Sequence, residues 1–265
     1  MPDFAEDCAE VLDRAGRDGI EHVVVIGFDL ASSRAAIALA EQHARVFVSV
    51  GIHPHDASSV DDSAGEELRR LARHPKVVAV GETGLDFYRN LSPRPEQFGA
   101  FYLHLDVAEE LGLPVVIHDR EAHEDTLKVL SKRAKNLVGG VLHCFSGDTR
   151  LAETALDWGF YISLAGPLTY PNANALRSVA RQLPLESIVI ETDAPYLTPQ
   201  PRRGTRNEPA FVRFVADELA RIKELHINDI DRITTLNARR LFGLPREENA
   251  DVTSYPVRDR RNYSG

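Results

Sequence analysis

The chain has 265 residues, 43% of them hydrophobic and 27% charged, and its 40 acidic residues outnumber 31 basic ones for a formal charge of −9. Such a composition excludes a disordered chain, because there is ample apolar side chain to offset the entropy of ordering. No apolar run approaches the roughly 18 residues of a membrane span and no basic-then-apolar signal opens the chain, so a cytoplasmic protein without membrane partners is expected. The acidic balance argues against holding nucleic acid by bulk charge, although an enzyme that recruits metal cations escapes that argument.

Short runs rich in valine and isoleucine alternate with longer amphipathic stretches. The runs are His22–Asp29, Val46–His53, Val77–Glu82, Pro114–His118, Gly140–His143, Phe160–Leu164 and Ile188–Asp193. Their near-continuous apolar character fits parallel strands covered on both faces. Between them the periodicity predicts helices over Ser32–His43, Gly65–Arg73, Arg94–Leu111, Glu121–Arg133, Thr149–Trp158 and Asn172–Gln182, with two more near Glu208–Leu225 and Ile227–Phe242. Asp7–Arg17 also reads as a helix, yet the residues before it, MPDFAE, form no strand pattern. Strict βα alternation predicts one α/β domain over residues 1–245, a (β/α)8 TIM-type barrel lacking its first strand. Residues 246–265 are polar without an apolar period and read as a loosely ordered tail. Cys8 and Cys144 are too few for a disulfide framework and are not spaced as a zinc pair.

In such a barrel the chemistry sits where strands end. Those ends carry His53, Glu82, His118, His143 and Asp193. Singly, each has an ordinary explanation: a hydrogen-bonded core histidine, a loop charge, a capping aspartate. Jointly they are five residues of metal-ligand type at corresponding ends of five strands, and the combination suits zinc, manganese, magnesium or iron. The other histidines, at 22, 43, 74, 104, 123 and 226, read as surface or capping residues. In GIHPH the proline breaks the strand geometry that would aim His53 and His55 together, so His55 is expected to act from a loop. Phe87 and Tyr88 offer rings for stacking, and Arg89 a charge for phosphate, with packing under a loop as the alternative for the rings. The loop after Asp193 carries Arg202, Arg203 and Arg206 with no acid before Glu208, which suggests an anionic substrate.

GIHPH (51–55), GETGLDFYR (81–89), PVVIHDREAHED (114–125), LHCFSG (142–147), ETDAPYL (191–197), RRGTRNEP (202–209) and TTLNARRLFGL (234–244) together resemble the TatD-type metal-dependent deoxyribonucleases. The resemblance implies a distorted (β/α)8 barrel, two divalent metal ions (Mg, Mn or Zn) and hydrolysis of DNA phosphodiester bonds, and a monomer is expected. It also implies that Glu82 is shared by both ions, that His118 and His143 serve one, and that Asp193 serves the other and positions water. Glu82 and Asp193 are then the catalytic pair. His53, His55, Tyr88, Arg203 and Arg206 are the candidate substrate contacts. Members of the family open with a strand bearing His-x-His, which is absent ahead of Asp7, so one metal site is expected to be incomplete. The coding frame upstream of Met1 is expected to supply that strand. Two other functions fit the pattern: hydrolysis of another ester or amide, such as an aminoacyl-tRNA, and a degenerate barrel that binds without catalysing.

Overall fold

The structure, a computed structural model, describes residues 2–245. The polar segment 246–265 lies outside the described residues. Seven strands, β1 (Val23–Ile26), β2 (Val46–Val50), β3 (Val77–Asp86), β4 (Val115–Arg120), β5 (Gly140–Leu142), β6 (Tyr161–Leu164) and β7 (Ile188–Ile190), form one parallel sheet in sequential order. The helices are α1 (Cys8–Arg17), α2 (Leu30–Gln42), α3 (Asp62–Ala72), α4 (Arg94–Leu111), α5 (His123–Arg133), α6 (Thr149–Asp157), α7 (Asn174–Gln182), α8 (Val212–Lys223) and α9 (Ile227–Phe242). Because each crossover returns the chain beside the previous strand, all seven C-terminal strand ends share one edge, and the expected candidates gather there. Among the described residues β1 and β7 are each paired on one side only. Helix α1 lies against the segment after β7, where Arg14 forks onto Glu208 at 3.1 and 2.8 Å.

Alternate strand residues go to opposite faces of the sheet. Val115 and Ile117 of β4 join the main core with Phe101 and Leu105 of α4. Val116 turns to the other face, where Ala79, Val141 and Val189 meet Leu241 of α9. Burial on both faces is the physical reason the strands read as continuous apolar runs. No helix among the described residues is long and apolar enough to cross a membrane.

Several boundaries differ from the sequence expectation, three of them at the site. Helix α2 starts two residues early because Asp29 accepts from the Ser32 N–H at 2.6 Å while Ser32 Oγ accepts from the Asp29 N–H at 3.0 Å. Strand β3 continues four residues past Glu82 and pairs with β4 through Gly84 opposite His118 and Asp86 opposite Arg120. Glycine permits this. Gly81 and Gly84 have φ of 141° and 134°, and a Cβ on Gly84 would stand 2.0 Å from the His118 carbonyl oxygen. Strand β7 ends at Ile190, and Asp193 follows in the left-handed region at φ 57°, which turns the chain away.

Candidate active site

Glu82 stands among three imidazoles brought from different strand ends. Its Oε1 is 2.8 Å from His118 Nδ1, 3.4 Å from His143 Nε2 and 3.5 Å from His53 Nε2. Asp193 Oδ1 lies 3.8 Å from His143 Nε2. The donors fall into two groups, His53–Glu82–His118 and His143–Cys144–Asp193, each with ligand atoms within 4.8 Å of one another. The expected convergence of Glu82, His118, His143 and Asp193 is therefore present.

What each histidine can do depends on its other nitrogen. His118 Nε2 faces Asp86 Oδ2 at 3.1 Å, which leaves Nδ1 for Glu82. His143 Nδ1 faces Glu191 Oε2 at 2.7 Å, and the other Glu191 oxygen accepts from the Cys144 N–H at 2.6 Å. In both, a carboxylate holds one ring hydrogen and turns the other nitrogen inward, the usual support of a metal-ligating histidine. His53 is arranged the other way. Its Nδ1 accepts from the His55 N–H at 3.0 Å, so the hydrogen of the neutral ring sits on Nε2, the atom facing Glu82. As placed, His53 is a donor and not a ligand.

Helix α4 braces two of these strand ends from beneath. Gln97 Oε1 accepts from the Asp86 N–H at 2.8 Å, and its Nε2 donates to the carbonyls of Ser92 and Asp86. Seven residues on, His104 Nε2 accepts from the Ile52 N–H at 2.8 Å, beside His53. Its Nδ1 hydrogen therefore goes to the Ala100 carbonyl at 2.6 Å. His104 is fully buried, contrary to its reading as a surface or capping residue.

The charges follow from burial and from this pairing. Burial pushes His118 down, but hydrogen bonds to Asp86 and Glu82 outweigh it and raise its pKa to about 9. Burial likewise opposes the charge on His143, and the neighbouring Glu191 and Glu82 carboxylates prevail, raising it well above the usual value. Burial pushes Glu82 up, yet the charge on His143 and the His118 hydrogen bond hold it far below the carboxylate range. His53 is pushed down to about 3, chiefly by burial, and is neutral at pH 7. Asp193 is raised to about 7 by burial, with Glu191 and Glu82 adding to the rise against the pull of His143. A cluster of carboxylates with two inward-facing imidazole nitrogens, whose protons a divalent cation would replace, is the donor chemistry such a cation requires, and the residues present fit one.

The remaining candidates divide. Tyr88 is 62% exposed, with the Arg120 guanidinium 4.1 Å over its ring. Arg203 donates to the Tyr170 hydroxyl at 2.9 Å and lies over that ring. His55, expected to contact substrate, instead places Nε2 2.9 Å from Asp86 Oδ2 and so steadies the His118 partner. Arg206, expected at a substrate phosphate, is instead paired with Asp7 at the start of α1, because that carboxylate lies 2.5 Å from its Nη2. It also donates to the Asp3 carbonyl and covers Phe4. Phe87 packs beneath Arg94 and against Phe98. Asp86, Glu191, Arg120 and His104 were not singled out in the sequence. The only signal for the first two was their place in GETGLD and ETD, beside the residues they orient.

Matching of the whole chain agrees with this arrangement: the model of the family described as "TatD related DNase" fits residues 1–243. The chain belongs to the TatD-related DNase family. It is 39% identical over 239 residues to the uncharacterized metal-dependent hydrolase YabD of Bacillus subtilis, covering 90% of this chain and 94% of that one. It is 38% identical over 247 residues to the 3'-5' ssDNA/RNA exonuclease TatD of Erwinia amylovora, covering 91% and 95%. The crystal structure of YJJV, a TatD homolog from Escherichia coli K12, superposes with a TM-score of 0.87 at 30% identity, covering 92% of this chain and 95% of that one. The expected family and α/β barrel-type fold are thus borne out, with seven parallel strands among the described residues.

Proposed function

We propose that this chain is a metal-dependent hydrolase that cleaves phosphodiester bonds of DNA in the cytoplasm, through one domain over residues 1–245. The observation that supports the reading most is the orientation of His118 and His143, each with one nitrogen held by a carboxylate and the other turned toward Glu82. Relatives of 38% identity named as 3'-5' ssDNA/RNA exonucleases support the substrate class.

In this reading Glu82, His118, His143 and Asp193 hold two divalent ions (Mg, Mn or Zn), with Glu82 shared. When bound, such ions supply positive charge for the phosphoryl group and acidity for the attacking water. The side chains do the remaining work. Asp193, whose Oδ1 lies 3.8 Å from His143 Nε2, orients water and accepts its proton. Asp86 and Glu191 fix the ring tautomers of His118 and His143. His53 presents an N–H at the same centre, suited to a phosphoryl oxygen. Arg203 adds a cation on the β7 side.

The test is cleavage of a single-stranded oligonucleotide by chelator-stripped protein, before and after Mg, Mn or Zn is restored. Cleavage should return with metal, and Glu82→Gln should lower it by at least about 100-fold with loss of bound metal. Cleavage that persists without metal, or survives in Glu82→Gln, overturns the reading.

A further inference from the structure

We propose that Tyr88 and Tyr196 are stacking platforms for unpaired bases of a single-stranded DNA substrate, with Arg120 and Arg203 holding the phosphates on either side of the site. The proposal rests on the hydrolase reading above and deepens it to the side chains that grip the strand, the single-stranded form being the one named for relatives. Among the described residues these two tyrosines and Leu91 are the most exposed large apolar side chains, with Tyr196 at 65%. Both tyrosines follow strand ends that carry the centre: Tyr88 lies two residues beyond β3, and Tyr196 three beyond Asp193. The Tyr196 N–H donates to the Asp193 carbonyl at 2.8 Å, which fixes that ring's backbone relative to the site.

The cations are local and flank one centre. Arg120 is the last residue of β4, two after His118. Arg203 rests on Tyr170, whose hydroxyl donates to the Thr198 carbonyl at 3.2 Å, five residues after Asp193. Arg120 covers one face of Tyr88 at 4.1 Å, yet the ring is 62% exposed, so its other face is open to a base. A guanidinium, a ring and a base in one stack leave guanidinium hydrogens free for a phosphate. A chain of net charge −9 with a carboxylate-rich centre cannot retain a polyanion through its overall field. Specific ring faces and two placed cations can. Duplex bases are already stacked, so only an unpaired strand gains from these rings.

Fluorescence anisotropy on the full chain tests this with three labelled phosphorothioate probes, chosen to resist cleavage: a short single strand, an abasic strand of equal length and a duplex. Tyr88→Ala and Tyr196→Ala should each weaken the base-bearing strand by about 10-fold and leave the abasic strand within about twofold. Tyr88→Phe should bind as the parent does, and Arg120→Ala should weaken both strands alike. Equal parent affinity for base-bearing and abasic strands, no loss in the alanine variants, or duplex bound as tightly as single strand would each overturn the proposal. Cleavage of the unmodified strand is scored separately. Cleavage without base preference leaves the hydrolase reading standing and removes the platforms, whereas base-dependent binding without cleavage does the reverse.

Discussion

His118 can offer its Nδ1 to a metal only while the hydrogen on Nε2 is held, and Asp86 holds it at 3.1 Å. The same dependence links His143 to Glu191, and His53 to the His104 that fixes the backbone before it. His104 gives a clean titration test because it is fully buried and binds no other titratable group. Burial lowers its pKa from 6.5 to about 4. Between those values the unfolded chain takes up a proton that the folded chain refuses. Its neutral pairing therefore supports folding above pH 6.5, and that support is lost as pH falls toward 4. His104→Gln retains an acceptor for Ile52 and a donor for Ala100 without the titration. Urea unfolding at pH 7 and pH 4.5 should show the parent losing on the order of 2 kcal/mol more than the variant. Equal losses would remove His104 from the account. The ligand-type residues were legible in the sequence because strand ends announce themselves. Their partners were not, since an acid two or four residues from a ligand looks like any loop charge until the backbone shows which way it points.

Elements carry the site through close approach. Strands β3 and β4 meet side by side from Gly84 to Asp86 only because residue 84 has no Cβ, and that pairing sets Glu82 against His118. Gly84→Ala combines a positive φ of 134° with a 2.0 Å contact to backbone, which cannot swing aside as a side chain would. The variant should lose about 3 kcal/mol or more in thermal or urea unfolding. A loss below about 1 kcal/mol would mean that the pairing is not required. Apolar runs located every strand, but they ended β3 four residues too soon, because the polar letters of GETGLD hide a strand whose burial comes from its neighbours. Helix starts moved for a similar local reason, as the Asp29 and Asp61 caps precede the apolar period that marks the helix.

Over the whole molecule, the charge of −9 leaves little long-range attraction for DNA. Affinity should therefore depend weakly on salt and through few residues. Each phosphate contact to a single strand contributes about 0.7 to the slope of log affinity against log salt. Arg120→Ala should reduce that slope by about this amount, while Arg206→Ala, already neutralised by Asp7, should leave it unchanged. A reversed pattern would return the arginine loop's phosphate role to Arg206. The central claim is narrower: the four converging residues hold metal through carboxylates and the two inward-facing imidazole nitrogens. Anomalous diffraction at the manganese edge, on crystals of this chain soaked with Mn, tests it directly. The account predicts density bonded to Glu82, His118 Nδ1, His143 Nε2 and Asp193. Manganese elsewhere, or bound through His53 with His118 turned away, would contradict it.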